Sequence, residues 1–558
     1  MKDVNISLSA SRRFVVKAPP WHVNACRSIP SRRFLSIRKE WVAPVTRLNS
    51  QHLLNVFGGA DWSRDALLAA EESANPPKRE STPFPDWYSF KTPPFDHQRA
   101  ALDKAWAAQS FGFFMEMGTG KTKTTIDLIC AKAMDGQINA ALVVSPLSMV
   151  LGWRDEIIKH STIGGTIERL HARKKPDAWP CANGVELADG FTWYLANIEG
   201  LSAGQLKNAI PSAIAGKTLV MVVDESARIK NHEAERTKAC IKIGAQAKGR
   251  YILSGLPVLK GALDLYSQLE FLDPDISGVG DFYCFRNRYA VMGGWEGREI
   301  LGYQNLEELA SLIAPHVYQI TKKEALDLPD KIYRTVRVEL TLDQLKQIRM
   351  VRAGLIGNKD RSRSLKNVLE KVLRIQQISS GLVLRLDDED NVKAVPAADN
   401  PKMQALRDLL TDYDGQAVIW CSFLPEVEAA KSVLDALKIT CVVHTGDTKP
   451  EERRTMIASF QAGEARVFLS TVQSGGIGIT LTAASLAVYV SNSWSLEARA
   501  QSEDRLHRIG QVNKVEYVDI MAEGSVDELV RQALSMKRSL ADHIRTLINN
   551  GELIDGVE

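Results

Sequence analysis

Phe113-Phe114-Met115-Glu116-Met117-Gly118-Thr119-Gly120-Lys121-Thr122 is the stretch on which the rest of the chain is read. An apolar run meets Gly-Thr-Gly-Lys-Thr, and a helical pattern follows through Thr125, Ile126, Leu128 and Ile129. Strand, loop, helix is the order that a phosphate-binding loop needs. Gly118 and Gly120, on either side of Thr119, let backbone N–H groups turn onto phosphate oxygens. Lys121 can reach the β and γ phosphates, and the Thr122 hydroxyl can ligate Mg²⁺. The full pattern has one more glycine where Met115 stands, so the match is partial, and a glycine turn before a helix is the plain alternative.

The 558 residues exceed one core and predict three or four domains. No run of about twenty apolar residues exists, so no membrane span is expected, and the N-terminus lacks the apolar segment of a secretion signal. The seven cysteines are scattered without a Cys-x-x-Cys pair. That argues against structural zinc or a disulfide frame and for a reducing cytosol. Net charge is +3, yet the first 50 residues carry ten Lys/Arg against two Asp/Glu. A basic head on a near-neutral body predicts a polyanionic partner; a solvated basic surface is the alternative. Phe14, Trp21, Phe34 and Trp41 are interleaved with these cations. The mixture suits nucleic acid, and it equally suits the core of a small β domain. Residues 1–55 are read as that domain and 56–94 as a linker.

Downstream, apolar β runs alternate with amphipathic helices. Phe95-Asp96-His97-Gln98 opens a helix, and the Gln98 amide can pair with an adenine edge. Strands follow at 141–146, 193–195, 219–223 and 251–255. The third ends in Asp224-Glu225, and the C-terminal end of a strand is where an α/β sheet places its chemistry. There Asp224 would hold Mg²⁺ and Glu225 would orient and deprotonate water; acids favoured by a helix dipole are the alternative. Residues 275–335 look irregular and close a first lobe at 95–335. Residues 336–400 are read as a helical connector. From Pro401 to residue 540, strands at 417–420, 440–443, 466–469 and 486–490 alternate with helices and imply a second parallel sheet. A glycine-rich loop at Ser474-Gly475-Gly476-Ile477-Gly478 lies inside it, and 541–558 form a tail. In Gln501-Ser502-Glu503-Asp504-Arg505-Leu506-His507-Arg508 the two arginines lie three apart, sharing one face of a helix, where they can clamp a γ-phosphate. Ordinary surface arginines are the alternative.

The order of these motifs resembles the Swi/Snf family of superfamily-two helicase-like ATPases. It runs Met-Gly-Thr-Gly-Lys-Thr, Ser-Pro-Leu-Ser with Trp153, Asp-Glu-Ser-Ala-Arg-Ile-Lys-Asn, Ser-Gly-Leu-Pro, Ser-Gly-Gly-Ile-Gly-Ile-Thr-Leu-Thr and Gln-x-x-Asp-Arg-x-His-Arg-Ile-Gly-Gln. The resemblance implies an α/β fold of two RecA-like lobes with ATP and Mg²⁺ between them, and hydrolysis coupled to movement along duplex DNA. It assigns Gln98, Gly118 to Thr122, Asp224 and Glu225 to one half-site, and Gly476, Gly478, Gln501, Arg505 and Arg508 to the other. It also assigns DNA contacts to Ser145, Pro146, Trp153, Thr445, Gly446, Thr471 and Trp494. The chain departs from the family at Met115, usually Asp, at Ala227, usually His, and at Leu256, usually Thr. These departures motivate the alternative of a nucleotide-gated DNA-binding protein with weak turnover.

A second resemblance lies in the head: Phe14-x-Val16, Arg27-Ser28-Ile29-Pro30-Ser31-Arg32-Arg33-Phe34 and Trp41-Val42-Ala43-Pro44 are similar to the HARP domain of annealing helicases. It implies recognition of forked DNA, with Arg32 and Arg33 as contacts. The short insertions point to the cytoplasm of a bacterial or phage-infected cell.

Overall fold

The computed structural model describes residues 1–558 except 11–12, 30–31, 75–81, 172–173, 182–183, 189, 203–204, 295, 297–298, 354–364, 387–391, 476–478 and 556–558. The chain divides into two compact units, Met1–Thr321 with Leu540–Glu558, and Lys322–Ser539.

The first unit begins with a five-stranded sheet in the order Arg33–Leu35, Glu40–Pro44, Arg13–Lys17, Asn5–Leu8 and Asp61–Trp62. Alternation builds it: Phe14 and Val16 point into the core while Arg13 and Lys17 point to solvent. Helices Arg47–Phe57 and Arg64–Ala74 close the core, and Thr46 caps the first by accepting from the Asn49 amide at 3.3 Å. Phe57, Ala66 and Ala70 belong to the same core as Phe14. The expected boundary at residue 55 therefore falls inside a helix, and the small domain runs to Ala74. The expected linker 56–94 is also corrected at its far end. Phe84 and Tyr88 are buried in the core of the following sheet, where Tyr88 donates to Asp127 at 3.1 Å.

That sheet has eight strands, ordered Val317–Ile320, Ser110–Met115, Gly249–Leu253, Leu219–Asp224, Ala140–Ser145, Thr192–Asn197, Gly165–Arg169 and Asp177–Cys181. All neighbours are parallel except the last pair. Its central strands are buried along their whole length, as a sheet covered on both faces requires. The region expected to be irregular holds the helix Phe282–Tyr289, a hairpin of Ala290–Gly293 with Glu299–Tyr303, and the helix Leu306–Ile313.

The second unit is a six-stranded, wholly parallel sheet ordered Lys331–Val338, Val515–Ala522, Leu486–Tyr489, Ala417–Cys421, Val467–Thr471 and Cys441–His444. Lys331–Val338, expected to be divided at residue 335 between the first lobe and the connector, is one strand of this sheet. The expected helical connector also carries a hairpin, Leu382–Leu386 with Val392–Pro396. Nor is 541–558 a separate tail, because the helix Val526–Asp555 runs through it. From Leu540 onward this helix belongs to the first unit, whose core includes Ile544. No helix among the described residues is long and apolar enough to cross a membrane.

Candidate nucleotide site

Strand Ser110–Met115 delivers the chain to the glycine loop, and helix Lys121–Met134 leaves it. Gly118 (φ 82°) and Gly120 (φ 89°) are left-handed, which is what turns the loop. At Gly120 a side chain is doubly excluded, since a Cβ would lie 2.0 Å from Gln98 Nε2. Lys121 Nζ donates to the Met115 carbonyl at 2.8 Å. Met115 therefore serves the loop through its backbone, an interaction indifferent to the side chain that departs from the pattern. Gln98 is buried with its amide engaged: Oε1 accepts from the Phe95 N–H at 3.1 Å and Nε2 donates to the Thr119 carbonyl at 3.1 Å. Here Gln98 braces the loop, and pairing with adenine would require it to exchange these bonds.

Two strands away, Leu219–Asp224 ends in the acidic pair. Asp224 is buried. Burial pushes its carboxyl above the usual range, while the Trp153 hydrogen bond, the Lys121 charge and the Glu225 N–H pull it back. Trp153 Nε1 donates to Asp224 Oδ2 at 2.8 Å, and the Glu225 N–H donates to Oδ1 at 2.9 Å. Glu225 is left-handed (φ 50°), an unusual state for a residue with a side chain. Strand Gly249–Leu253 lies between these two and runs into Ser254-Gly255. Gly255 packs so closely on the loop that a Cβ would meet Met117 N at 3.1 Å and Lys121 Nζ at 3.6 Å.

The two family departures at Ala227 and Leu256 are spanned by a connection that the sequence did not disclose. Ser226 Oγ donates to Gln268 Oε1 at 2.6 Å, and Gln268 Nε2 donates to the Pro257 carbonyl at 2.8 Å. The Asp-Glu and Ser-Gly-Leu-Pro turns are thus tied through one buried amide. Nothing in the spacing of Gln268 marks it.

In the second unit, Arg505 ends the helix Leu496–Leu506, whereas Arg508 lies beyond it. The expected shared helical face is corrected, but the two still converge: a guanidinium nitrogen of each donates to the Ile479 carbonyl at 3.4 Å, and Arg508 also reaches Thr480 Oγ1 at 2.9 Å. Gln501, on the same helix, donates to Glu497 at 3.3 Å. Gly476 and Gly478 lie outside the described residues. A buried charge network that sequence reasoning missed anchors this helix. Lys322 pairs with Asp504 and donates to the His507 carbonyl at 2.6 Å, and His507 Nε2 lies 2.7 Å from the Pro329 carbonyl. Glu503 is buried among Arg499 (2.8 Å), Lys331 (3.3 Å) and Arg538 (3.3 Å). Burial alone would raise its carboxyl; these cations hold it down at about 2.

The expected DNA contacts divide. Ser145, Pro146, Trp153 and Thr471 are buried; Trp153 Nε1 donates to Asp224, and Thr471 Oγ1 donates to Ser474 Oγ at 2.8 Å. Leu147 and Ser148 are the exposed residues after that strand. Thr445 is half-buried, Gly446 is exposed, and Trp494 is partly exposed while donating to Gln376 at 3.2 Å. Arg32 and Arg33 are exposed.

A glycine loop, a helix-leading lysine and an Asp-Glu strand end on one parallel sheet define a RecA-like nucleoside-triphosphatase lobe, and the second parallel sheet is its companion fold. The model of the SNF2-related domain matches residues 105–381, and that of the helicase conserved C-terminal domain matches residues 401–510. The chain belongs to the SNF2-type helicase-like ATPase family. It is 28% identical over 447 residues to an uncharacterized ATP-dependent helicase of Mycoplasma genitalium, covering 78% of this chain and 40% of that one. It is 26% identical over 436 residues to the human DNA annealing helicase and endonuclease ZRANB3, covering 76% and 37%. The chain thus spans well under half the length of these two relatives. A solved SWI2/SNF2 ATPase core of Sulfolobus solfataricus in complex with dsDNA is similar over 83% of this chain and 95% of that one, at 23% identity and a TM-score of 0.38.

Proposed function

We propose that the chain is a DNA-dependent ATPase that translocates along duplex DNA and remodels branched DNA or protein–DNA complexes. The observation that carries this reading is that strands Ser110–Met115 and Leu219–Asp224, two apart in one parallel array, bring the Lys121 loop and the Asp224-Glu225 pair to the same end of the sheet. The loop supports a triphosphate ligand, since the left-handed Gly118 and Gly120 let backbone N–H groups turn toward phosphate oxygens and Lys121 supplies the cation. Thr122 and Asp224 are the residues that would hold Mg²⁺, which neutralises phosphate charge. Glu225 orients the attacking water and takes its proton. Arg505 and Arg508 are the residues that would stabilise charge on the phosphate in transfer. The names of the relatives support an activity on DNA, and the basic head supports a branched substrate.

The test is the steady-state ATPase rate without nucleic acid, then with single-stranded DNA, blunt duplex, forked DNA and RNA. Stimulation by duplex, strongest on the fork, is expected. A flat, near-zero rate on every substrate overturns the reading in favour of a nucleotide-gated DNA binder, and better stimulation by RNA overturns the choice of DNA.

A further inference from the structure

The outermost strands of the N-terminal sheet form a hairpin with an unusual tip. Arg33–Leu35 pairs antiparallel with Glu40–Pro44, and Leu35 faces Glu40, so Ser36-Ile37-Arg38-Lys39 is the turn. Ile37 is 98% exposed. A lone exposed apolar residue is ordinary, but this one heads a basic projection. Arg38 and Lys39 follow it, Arg33 precedes it, and Lys39 is left-handed (φ 51°), which costs energy in a residue other than glycine. Behind the tip the Phe34 ring, 47% exposed, lies 4.8 Å from that of Trp41.

Trp41 also lines a cavity of about 590 Å³ at the hairpin's base, together with Arg32, Asn287, Arg288, Gln304 and Asn305. That volume falls within the range of about 300–1,000 Å³ typical of small-molecule sites. Its guanidiniums are held in place: Arg32 donates to the Ile29 carbonyl at 3.1 Å, and Arg288 is paired with Glu308. An aromatic wall, fixed guanidiniums and side-chain amides are the groups that stack a base, meet a phosphate and read a base edge.

We infer that hairpin Arg33–Pro44 is a strand-separating pin, in which Ile37 enters the branch point of a forked DNA and the Trp41 cavity receives the displaced nucleotide. The inference rests on the DNA reading above and deepens it. Apolar wedges flanked by cations part base steps because the phosphates fix the protein while the wedge replaces stacking. The occupant is DNA on charge grounds, since the first 50 residues carry ten Lys/Arg against two Asp/Glu.

The experiment places 2-aminopurine at the branch-point base pair of a fork, on the strand that does not enter the cavity, so that stacking on Trp41 cannot quench it, and reads its fluorescence with the full chain at saturation, without nucleotide. Binding is followed separately by anisotropy. The wild-type chain is expected to raise the signal as the base unstacks, and Ile37→Ser to lose most of that rise while still binding the fork. Ile37 packs against nothing, so the substitution carries no folding burden. Phe34→Ala should lower the rise as well. A wild-type chain that binds the fork without a rise overturns the pin, as does an Ile37→Ser signal equal to wild type. A wild-type chain that does not bind the fork overturns both the pin and the DNA reading. Because no hydrolysis is read, a chain that opens the fork but shows no DNA-stimulated ATPase sinks the translocase and leaves the pin standing.

Discussion

Trp153 and Asp224 are joined by an indole-to-carboxylate hydrogen bond of 2.8 Å between residues 71 positions apart. It sets one lone-pair direction of a buried acid that must stay ionised to meet a cation. Trp153→Phe keeps most of the packing and removes the bond. A hydrogen bond to a charged group contributes about 1.5–3 kcal/mol, so the turnover rate should fall about tenfold or more. The missing bond is one that lowers the Asp224 pKa, so the acid limb of the pH–rate profile should move to higher pH. A profile unmoved by Trp153→Phe would show that the indole only fills space.

Glu225→Gln removes the carboxylate proposed as the base and keeps the shape. Turnover should fall by about 10²–10⁴, the range of general-base catalysis, while ATP affinity measured by a fluorescent analogue stays within a few-fold. Normal turnover would move the base elsewhere.

Arg508→Ala should lower kcat far more than it weakens ATP binding, because a charge aimed at transferring phosphate acts in the transition state. Equal losses in both would make Arg508 a ground-state binding residue.

Gln268→Leu cuts the tie between the Asp-Glu turn and Pro257 without emptying the space. ATP hydrolysis should persist while the DNA length travelled per ATP, read by displacement of a third strand from a triplex, falls. Parallel loss of both rates would make Gln268 part of the catalytic scaffold alone.

Glu503 supplies a pH-dependent stability. Its folded pKa, about 2, lies below the ordinary 4.5. The contribution is therefore present above about pH 4.5 and is lost as pH falls toward 2; at most ~3 kcal/mol is at stake. Urea melts of the full chain between pH 6 and pH 3 should show that loss in the second unit's transition. Glu503→Gln, which abolishes the titration, should flatten it. A wild-type melt independent of pH would contradict the buried network.

The central strands of both sheets were legible because they are unbroken apolar runs, and so were the turns at Gly118–Thr122 and Asp224-Glu225 where those runs end. Strand Lys331–Val338 was not: as an edge strand it carries Lys331, Arg334, Thr335 and Arg337 among its apolar residues, and its partner Val515–Ala522 lies far along the chain. Distance in sequence also hid Trp153–Asp224 and Ser226–Gln268. Trp153 was placed by the family resemblance alone, and its hydrogen bond to Asp224, 71 positions away, has no local signal in the sequence. Arg505 and Arg508 had the right neighbours for the wrong reason, because the helix stops between them and a shared carbonyl, not a helical face, brings them together.

The first unit is finished by residues that follow the second. The chain leaves it at Thr321 and returns at Leu540, where Ile544 enters its core and the Arg545 carbonyl accepts from Gln319 Nε2 at 3.0 Å. On the ribosome the order is therefore inverted: the first unit waits for a helix made after the second unit, and the second unit can complete its own core before the first does. A nascent chain stalled before residue 540 would lack the apolar contacts of Leu540 and Ile544, a transient need for chaperone cover that lapses once this helix has emerged.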